Sequence, residues 1–230
     1  MDLLPRLSSL GVPDAVAVTL LVTMFFVIGW VVEHPPKNRP SMSTLMADYR
    51  REWMHHFVTR QQKIFDGTVI TSLRQATSFF ISGTMLALGG GIALVGNPER
   101  LMVLAEDLTI TQQATVIEVK VILVLLFLAN AFLKFVWSHR LFGYCAVLMG
   151  SMSSAEDATA YLRASQAAEI NVTAARSYNR GLRSVYFALA ALGWLLGPWF
   201  LLGTTLITTA TLVRREFASE SRDIVMRRDA

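Results

Sequence analysis

The chain has 230 residues, 53% hydrophobic and 17% charged, with 21 basic and 17 acidic side chains for a formal net charge of +4. That composition excludes a disordered chain, and long apolar runs covering nearly half of it exclude a second large soluble domain. The excess of Lys and Arg has an ordinary source in the basic loops of membrane proteins; without a nucleic-acid motif beside it, no nucleic-acid partner is expected.

The first predicted element is a membrane span over residues 15–32. Its upstream flank mixes Arg6 with Asp2 and Asp14. It exits through Trp30, Glu33, His34, Pro35 and Pro36 without a small-x-small cleavage pattern, so it reads as a retained helix. Residues 33–40 form a stiff, non-helical exit because each proline biases its predecessor away from helix. Over residues 41–64, Met42, Met46, Tyr49, Trp53, Phe57 and Ile64 recur at helical spacing, with Asp48, Arg50, Arg51 and Glu52 mostly opposite. This predicts an amphipathic cytoplasmic helix that lies on the inner leaflet or packs on a second cytoplasmic helix. Asp66-Gly67 breaks or bends it before the second span.

That span covers residues 69–95 and carries Gly83, Ala87 and Gly91 at near-helical spacing. A third span follows at residues 116–136. A second cytoplasmic helix at residues 154–184, with a small-residue stripe of Ala158, Ser165, Ala168, Val172 and Ala175, flows into a fourth span at 185–213. The fourth span holds Gly193-x-x-x-Gly197, then Thr204, Thr208 and Thr211 along one side. Each span is long enough, at about 1.5 Å per residue, to cross a hydrocarbon core of about 30 Å. The expected fold is all-α: one integral membrane domain over residues 1–230, a four-helix transmembrane bundle with long amphipathic cytoplasmic helices. Small residues permit close backbone approach in lipid, serving packing within one bundle or self-association; their number favours a homo-oligomer.

Loop charges orient the chain. Lys37, Arg39, Arg50, Arg51, Arg60 and Lys63 lie between spans one and two, and Arg140, Arg163, Arg176, Arg180 and Arg183 between spans three and four. Arg100 stands between spans two and three beside Glu99, Glu106 and Asp107. The positive-inside rule puts both long loops in the cytoplasm of an inner (plasma) membrane and both termini outside. Arg214, Arg215, Arg222, Arg227 and Arg228 oppose this reading: either protein contacts hold the tail outside, or the fourth span stops short, as Pro198 would allow. Four crossings are retained as the expectation.

The charge-free stretch of span three, residues 121–133, reaches only about 20 Å, so charges sit at or within the hydrocarbon boundary. Lys120 and Lys134 share a direction, with Asn130 flanking them. With Arg74, Thr204 and Thr208 they form a candidate polar pathway, since ionisable residues in spans mark such routes. The plainer account is that the lysines snorkel to opposite surfaces, as Arg74 can too. Arg176, Arg180 and Arg183 share one helix face, a candidate anion or lipid-headgroup surface that ordinary positive-inside placement also explains.

No catalytic constellation is visible, and no cofactor or metal is expected. His55 and His56 are adjacent rather than four apart, and no phosphate loop or nucleophile elbow appears. The single cysteine, Cys145, excludes an intrachain disulfide.

The run Asn179-Arg180-Gly181-Leu182-Arg183-Ser184-Val185-Tyr186-Phe187-Ala188-Leu189-Ala190, then Trp194-Leu195-Leu196-Gly197-Pro198 and Arg214-Arg215-Glu216-Phe217, resembles the membrane family called domain of unknown function 599. So does the stretch from Arg51-Glu52-Trp53 through Asp66 to Phe79-Phe80. The resemblance covers residues 12 to 220 and implies a multi-pass membrane protein with no assigned activity. Architecture then suggests a homo-oligomeric ion conduit, selective for anions given its basic inner face. The alternative is a non-catalytic accessory or scaffold subunit packed against a larger membrane complex, and a membrane enzyme ranks third.

Overall fold

Apolar runs too long for strands dictate helices, and the secondary structure of the described residues is helical throughout. The structure is a computed structural model and describes residues 10–97, 114–153 and 156–227. The expectations resting on Asp2, Arg6, Glu99, Arg100, Glu106, Asp107, Arg228 and the start of the 154–184 helix lie outside those residues.

In chain order the helices are α1 (Val12–Glu33), α2 (Met42–Thr59), α3 (Ile64–Val95), α4 (Ala114–Gly150), α5 (Ala158–Leu192), a 3₁₀ turn (Gly193–Leu196), α6 (Pro198–Phe217) and α7 (Glu220–Met226). Three helical stretches are long and apolar enough to cross a membrane: Val12–Glu33, Ile64–Val95 and Val116–Gly150.

Local chemistry sets the boundaries. Asp14 accepts from the Gly11 amide at 3.1 Å at the start of α1, where a carboxylate favours the helix dipole. Ser41 serves two helices: its hydroxyl donates to the Val32 carbonyl at the end of α1 and accepts from the Thr44 amide as the N-cap of α2. Asp157 accepts from the Ala160 amide at 2.7 Å where α5 begins. The break between α2 and α3 falls at residues 60–63, ahead of the expected Asp66-Gly67. Asp66 instead occupies the first turn of α3, again favourable to the dipole.

The fourth apolar stretch differs from the single span expected over 185–213. Helix α5 ends at Leu192, and the 3₁₀ turn ends at Gly197, whose φ of 126° is open to glycine but strained for other residues. Pro198 then starts α6, a position where its missing amide hydrogen costs nothing. The chain reverses: the Thr204 hydroxyl lies 2.8 Å from the Ala190 carbonyl, and a β-carbon on Gly193 would meet Thr204 at 2.6 Å. Gly193 therefore makes the close approach expected of it, but within one chain, and Gly197 makes a turn rather than a packing surface.

The chain divides into two compact units. The first comprises the described residues of Met1–Val31, Thr84–Ala131 and Leu182–Arg214. Its centre is aromatic, with Phe25 edge-on to both Phe127 and Phe187 at 5.2 and 5.4 Å. The second comprises the described residues of Val32–Gly83, Phe132–Gly181 and Arg215–Ala230. There α2 buries Met54, Phe57 and Val58 against α4 and the small residues of α5. The buried α5 stripe is Ala160, Ala164, Ala167, Ala168, Val172 and Ala174. Ala168 and Val172 were expected there, whereas Ala158 and Ser165 are exposed.

Candidate functional site

In the first unit, the ionisable residue at greatest depth is Lys120, only 1% exposed despite its charge. Its ammonium stands 5.6 Å from the centre of the Trp194 ring, an electrostatically favourable position over an aromatic face. The Trp194 indole donates to the Asp14 carboxylate at 2.7 Å, and Asp14 acts electrostatically on Lys120. One basic residue of α4, one acidic residue of α1 and the indole closing α5 thus form a single polar cluster in apolar surroundings. Ile117, Leu94, Val121 and Leu195 pack together in the same unit. Burying a charge is expensive, and the aromatic face and the Asp14 carboxylate both offset part of that cost. The sequence reading singled out Lys120 but assigned no role to Asp14 or Trp194; their signal was an acidic residue and an indole at the ends of apolar runs.

The other residues of the expected pathway do not join this cluster. Asn130 donates to the Ser184 hydroxyl at 2.6 Å, tying α4 to α5. Thr204 closes the α5–α6 hairpin, and Thr205 is fully buried with its hydroxyl on the Leu201 carbonyl. Thr208 is half-buried one turn further along. In the second unit Lys134 is half-buried, and its carbonyl accepts from Ser177 at 2.9 Å. Arg74 is exposed, and its guanidinium lies 3.4 Å from His139. In the first unit, Asn130 and Thr204 thus each bond a neighbouring helix.

Nor do the three arginines of α5 form one free cationic face. Arg180 makes a bidentate pair with Glu33, whose hydrogen bonds hold the guanidinium above its usual range. Arg183 is buried, and Arg176 is exposed. Positions at one angular register acquired three environments because neighbouring helices cover the face unevenly.

Two features of the second unit had no sequence signal beyond residue type. Asp66 is fully buried and accepts on one oxygen from the Trp53 indole at 2.6 Å and from Arg60 at 2.5 Å. Arg50 bonds the carbonyl oxygen of buried Asn171, whose amide points at the Cys145 sulfur. Burial lowers the Arg50 pKa from its usual range, because desolvation disfavours the charged form. The tail is anchored in this unit too: Glu216 accepts from the Ser43 amide and hydroxyl, Arg222 donates to the Pro40 carbonyl, and Tyr49 donates to the Val225 carbonyl.

Among the described residues no group of three or more His, Cys, Asp or Glu side chains is placed to hold a metal. His55 stacks near Tyr161 and His56 lies 3.6 Å from Glu52.

Helix α3 is the exception to this close packing. Only 6% of its apolar window is buried, and Gly83, Gly89 and Gly90 have no neighbour within reach of a β-carbon, whereas Gly91 sits against Leu125. Ala87 is exposed on the same stretch. The family model described as "Protein of unknown function, DUF599" matches residues 16–221. No curated protein and no solved structure matches the chain.

Proposed function

The chain belongs to this family of unknown function, and on that footing we propose that it is a non-catalytic membrane scaffold that assembles through α3. The observation that carries the reading is the open small-residue face of that helix at Gly83, Ala87 and Gly90. Lipid gives helices no hydrophobic push toward one another, so small residues are where a second helix can approach closely. A homo-oligomer is the simplest occupant, and a helix of a larger membrane complex is the alternative. The polar residues support a scaffold over a conduit within one chain, because their bonds join neighbouring helices.

The proposed topology has five passes: α1, α3, α4 and the two arms of the α5–α6 hairpin. The amino terminus is outside and the carboxyl terminus inside, replacing the even number of crossings expected from the sequence. Three observations support it. Trp194, at the hairpin tip, bonds Asp14 near the start of α1, so the first arm reaches that end. The second unit holds 16 basic against 11 acidic residues, a net of +5, whereas the first holds 5 against 6, a net of −1. The arginine-rich tail bonds α2 inside that basic unit. By the positive-inside rule the basic parts of this unit, its amphipathic α2 and the polar half of α5, are cytoplasmic.

Native mass spectrometry of protein released from nanodiscs tests the assembly. Wild type should appear as an oligomer, and Gly90→Trp should shift it to monomer with α-helical content unchanged. A monomeric wild type, or an oligomer indifferent to bulk at residues 83 and 90, would overturn the scaffold. A conduit at the axis of such an assembly is the second reading, supported by Lys120 and Asp14 within the apolar unit. It predicts ion flux in proteoliposomes that Lys120→Leu changes.

A further inference from the structure

Helices α3 and α4 expose a polar cluster within the second unit that neither the packing nor the scaffold reading uses. The Arg74 guanidinium lies 3.4 Å from Nε2 of His139, and the Thr77 hydroxyl lies 3.0 Å from Nδ1. Thr77 in turn donates to the Arg74 carbonyl at 2.7 Å, and the exposed Ser78 hydroxyl lies 3.4 Å from the same Nδ1. A neutral ring with its proton on Nδ1 satisfies the set: it donates to Thr77 and accepts from Arg74. Thr77 is fully buried, so His139 is fixed from behind and holds Arg74 in place on the surface.

The next residue, Arg140, is also exposed. Its guanidinium donates to the Tyr144 hydroxyl at 2.7 Å and stands near the rings of Trp137 and Tyr144, at 5.9 and 5.8 Å. Neither arginine has a carboxylate partner among the described residues, whereas Arg51, Arg60 and Arg180 each have one. Around them the surface is apolar and open: Leu133, Trp137 and Val147 on α4 and Phe79 on α3 are all exposed. Helix α4 has 37 residues, about 55 Å, so it outruns a bilayer core and Trp137 falls near the expected end of its span at residue 136. Trp and Tyr beside exposed arginines, with bare aliphatic surface on one side, is the composition of a membrane–water interface.

We propose that Arg74, Ser78, His139 and Arg140 form a binding site for the phosphate of an anionic phospholipid on the inner leaflet, with the acyl chains lying along Leu133 and Phe79. Two guanidiniums supply charge and paired N–H donors, Ser78 a hydroxyl, and His139 positions Arg74. Unlike Arg180, which pairs with Glu33, these have no carboxylate partner among the described residues, and that leaves them available to a phosphodiester.

The test is native mass spectrometry of the full chain released from nanodiscs of equal parts phosphatidylcholine and phosphatidylglycerol. Wild type should retain phosphatidylglycerol in preference. Arg74→Gln and Arg140→Gln should each lower that retention about fivefold, the usual effect of one basic residue at an anionic leaflet, while Arg176→Gln leaves it unchanged. Equal retention of both lipids by wild type overturns the proposal without any variant. Undiminished preference in the Arg74→Gln/Arg140→Gln double variant overturns it as well. A separate arm adds sodium phosphate to detergent-solubilised protein. If free phosphate raises the melting temperature of wild type but not of Arg74→Gln, and no lipid preference is seen, the site takes soluble phosphate and the lipid assignment fails.

Discussion

The two units are built from the same helices by different means. In the second, α2 lays Met54 and Phe57 onto Ile70, Cys145, Met149 and the alanines of α5, and a ring of polar bonds surrounds that core. Trp53 and Arg60 hold Asp66, Ser138 bonds the Ala174 carbonyl, Ser177 bonds the Lys134 carbonyl, and Arg51 pairs with Glu169. In the first, the contacts are more apolar, among them three phenylalanines, a glycine against a threonine, an amide–hydroxyl bond and the Asp14–Trp194–Lys120 cluster. The difference is what two solvents would produce. Where water competes, burying apolar side chains drives association and each polar group needs a partner. In oil that drive is absent, and contact area, close approach and a few hydrogen bonds must suffice.

Substitutions can break or sharpen this contrast, read by thermal unfolding in one detergent. The largest loss is expected from Asp66→Ala in the second unit, about 3 kcal/mol, because it strands the Trp53 indole and removes the buried partner of Arg60. Retention of wild-type stability would mean that the polar ring is dispensable. Next is Gly181→Ala, whose methyl would press on the Phe135 ring at 2.6 Å for a loss of about 2 kcal/mol. In the first unit, Asn130→Leu should cost only about 0.6 kcal/mol, the usual value of an interhelical bond in lipid. A loss as large as that of Asp66→Ala would erase the distinction between the units.

The smallest effect is expected at Arg51–Glu169, an exposed pair worth at most about 1 kcal/mol and weakened by salt. The bond from Arg51 holds the Glu169 carboxyl below its usual range. A depressed folded-state pKa contributes stability that is present above the unfolded value, near 4.5, and lost as pH falls through the folded one. Glu169→Gln should therefore lower the melting temperature slightly at neutral pH and not at all in strong acid. A difference that grows toward low pH would contradict the pairing.

The helical class and the three helices long and apolar enough to span a membrane were legible because runs such as residues 15–32 and 121–133 carry no charge over many turns. The small-residue theme was legible as well, but not its use: hydropathy is continuous across residues 185–213, and the reversal depends on one positive φ at Gly197. Pro198 was the sole flag. Helical register puts Lys120, Asn130 and Lys134 toward one side of α4, yet it contains nothing about which neighbour covers which turn. That is why Asn130 found Ser184 and Lys120 found Trp194. Asp66 illustrates the limit most sharply. A carboxylate beside glycine reads as a break, and only the arrival of Trp53 from α2 and Arg60 from the turn after it makes it a buried anchor.

The reversal at Gly197–Pro198 also bears on how the chain enters the bilayer during synthesis. Each arginine forced through oil costs an insertion machine about 3 kcal/mol, and Arg214 and Arg215 in the last turn of α6 are followed by Arg222, Arg227 and Arg228. A helical pair that enters tip first lets all five remain on the side where the ribosome released them. On the proposed five-pass topology this tail needs no translocation, only its bonds to the neighbourhood of α2.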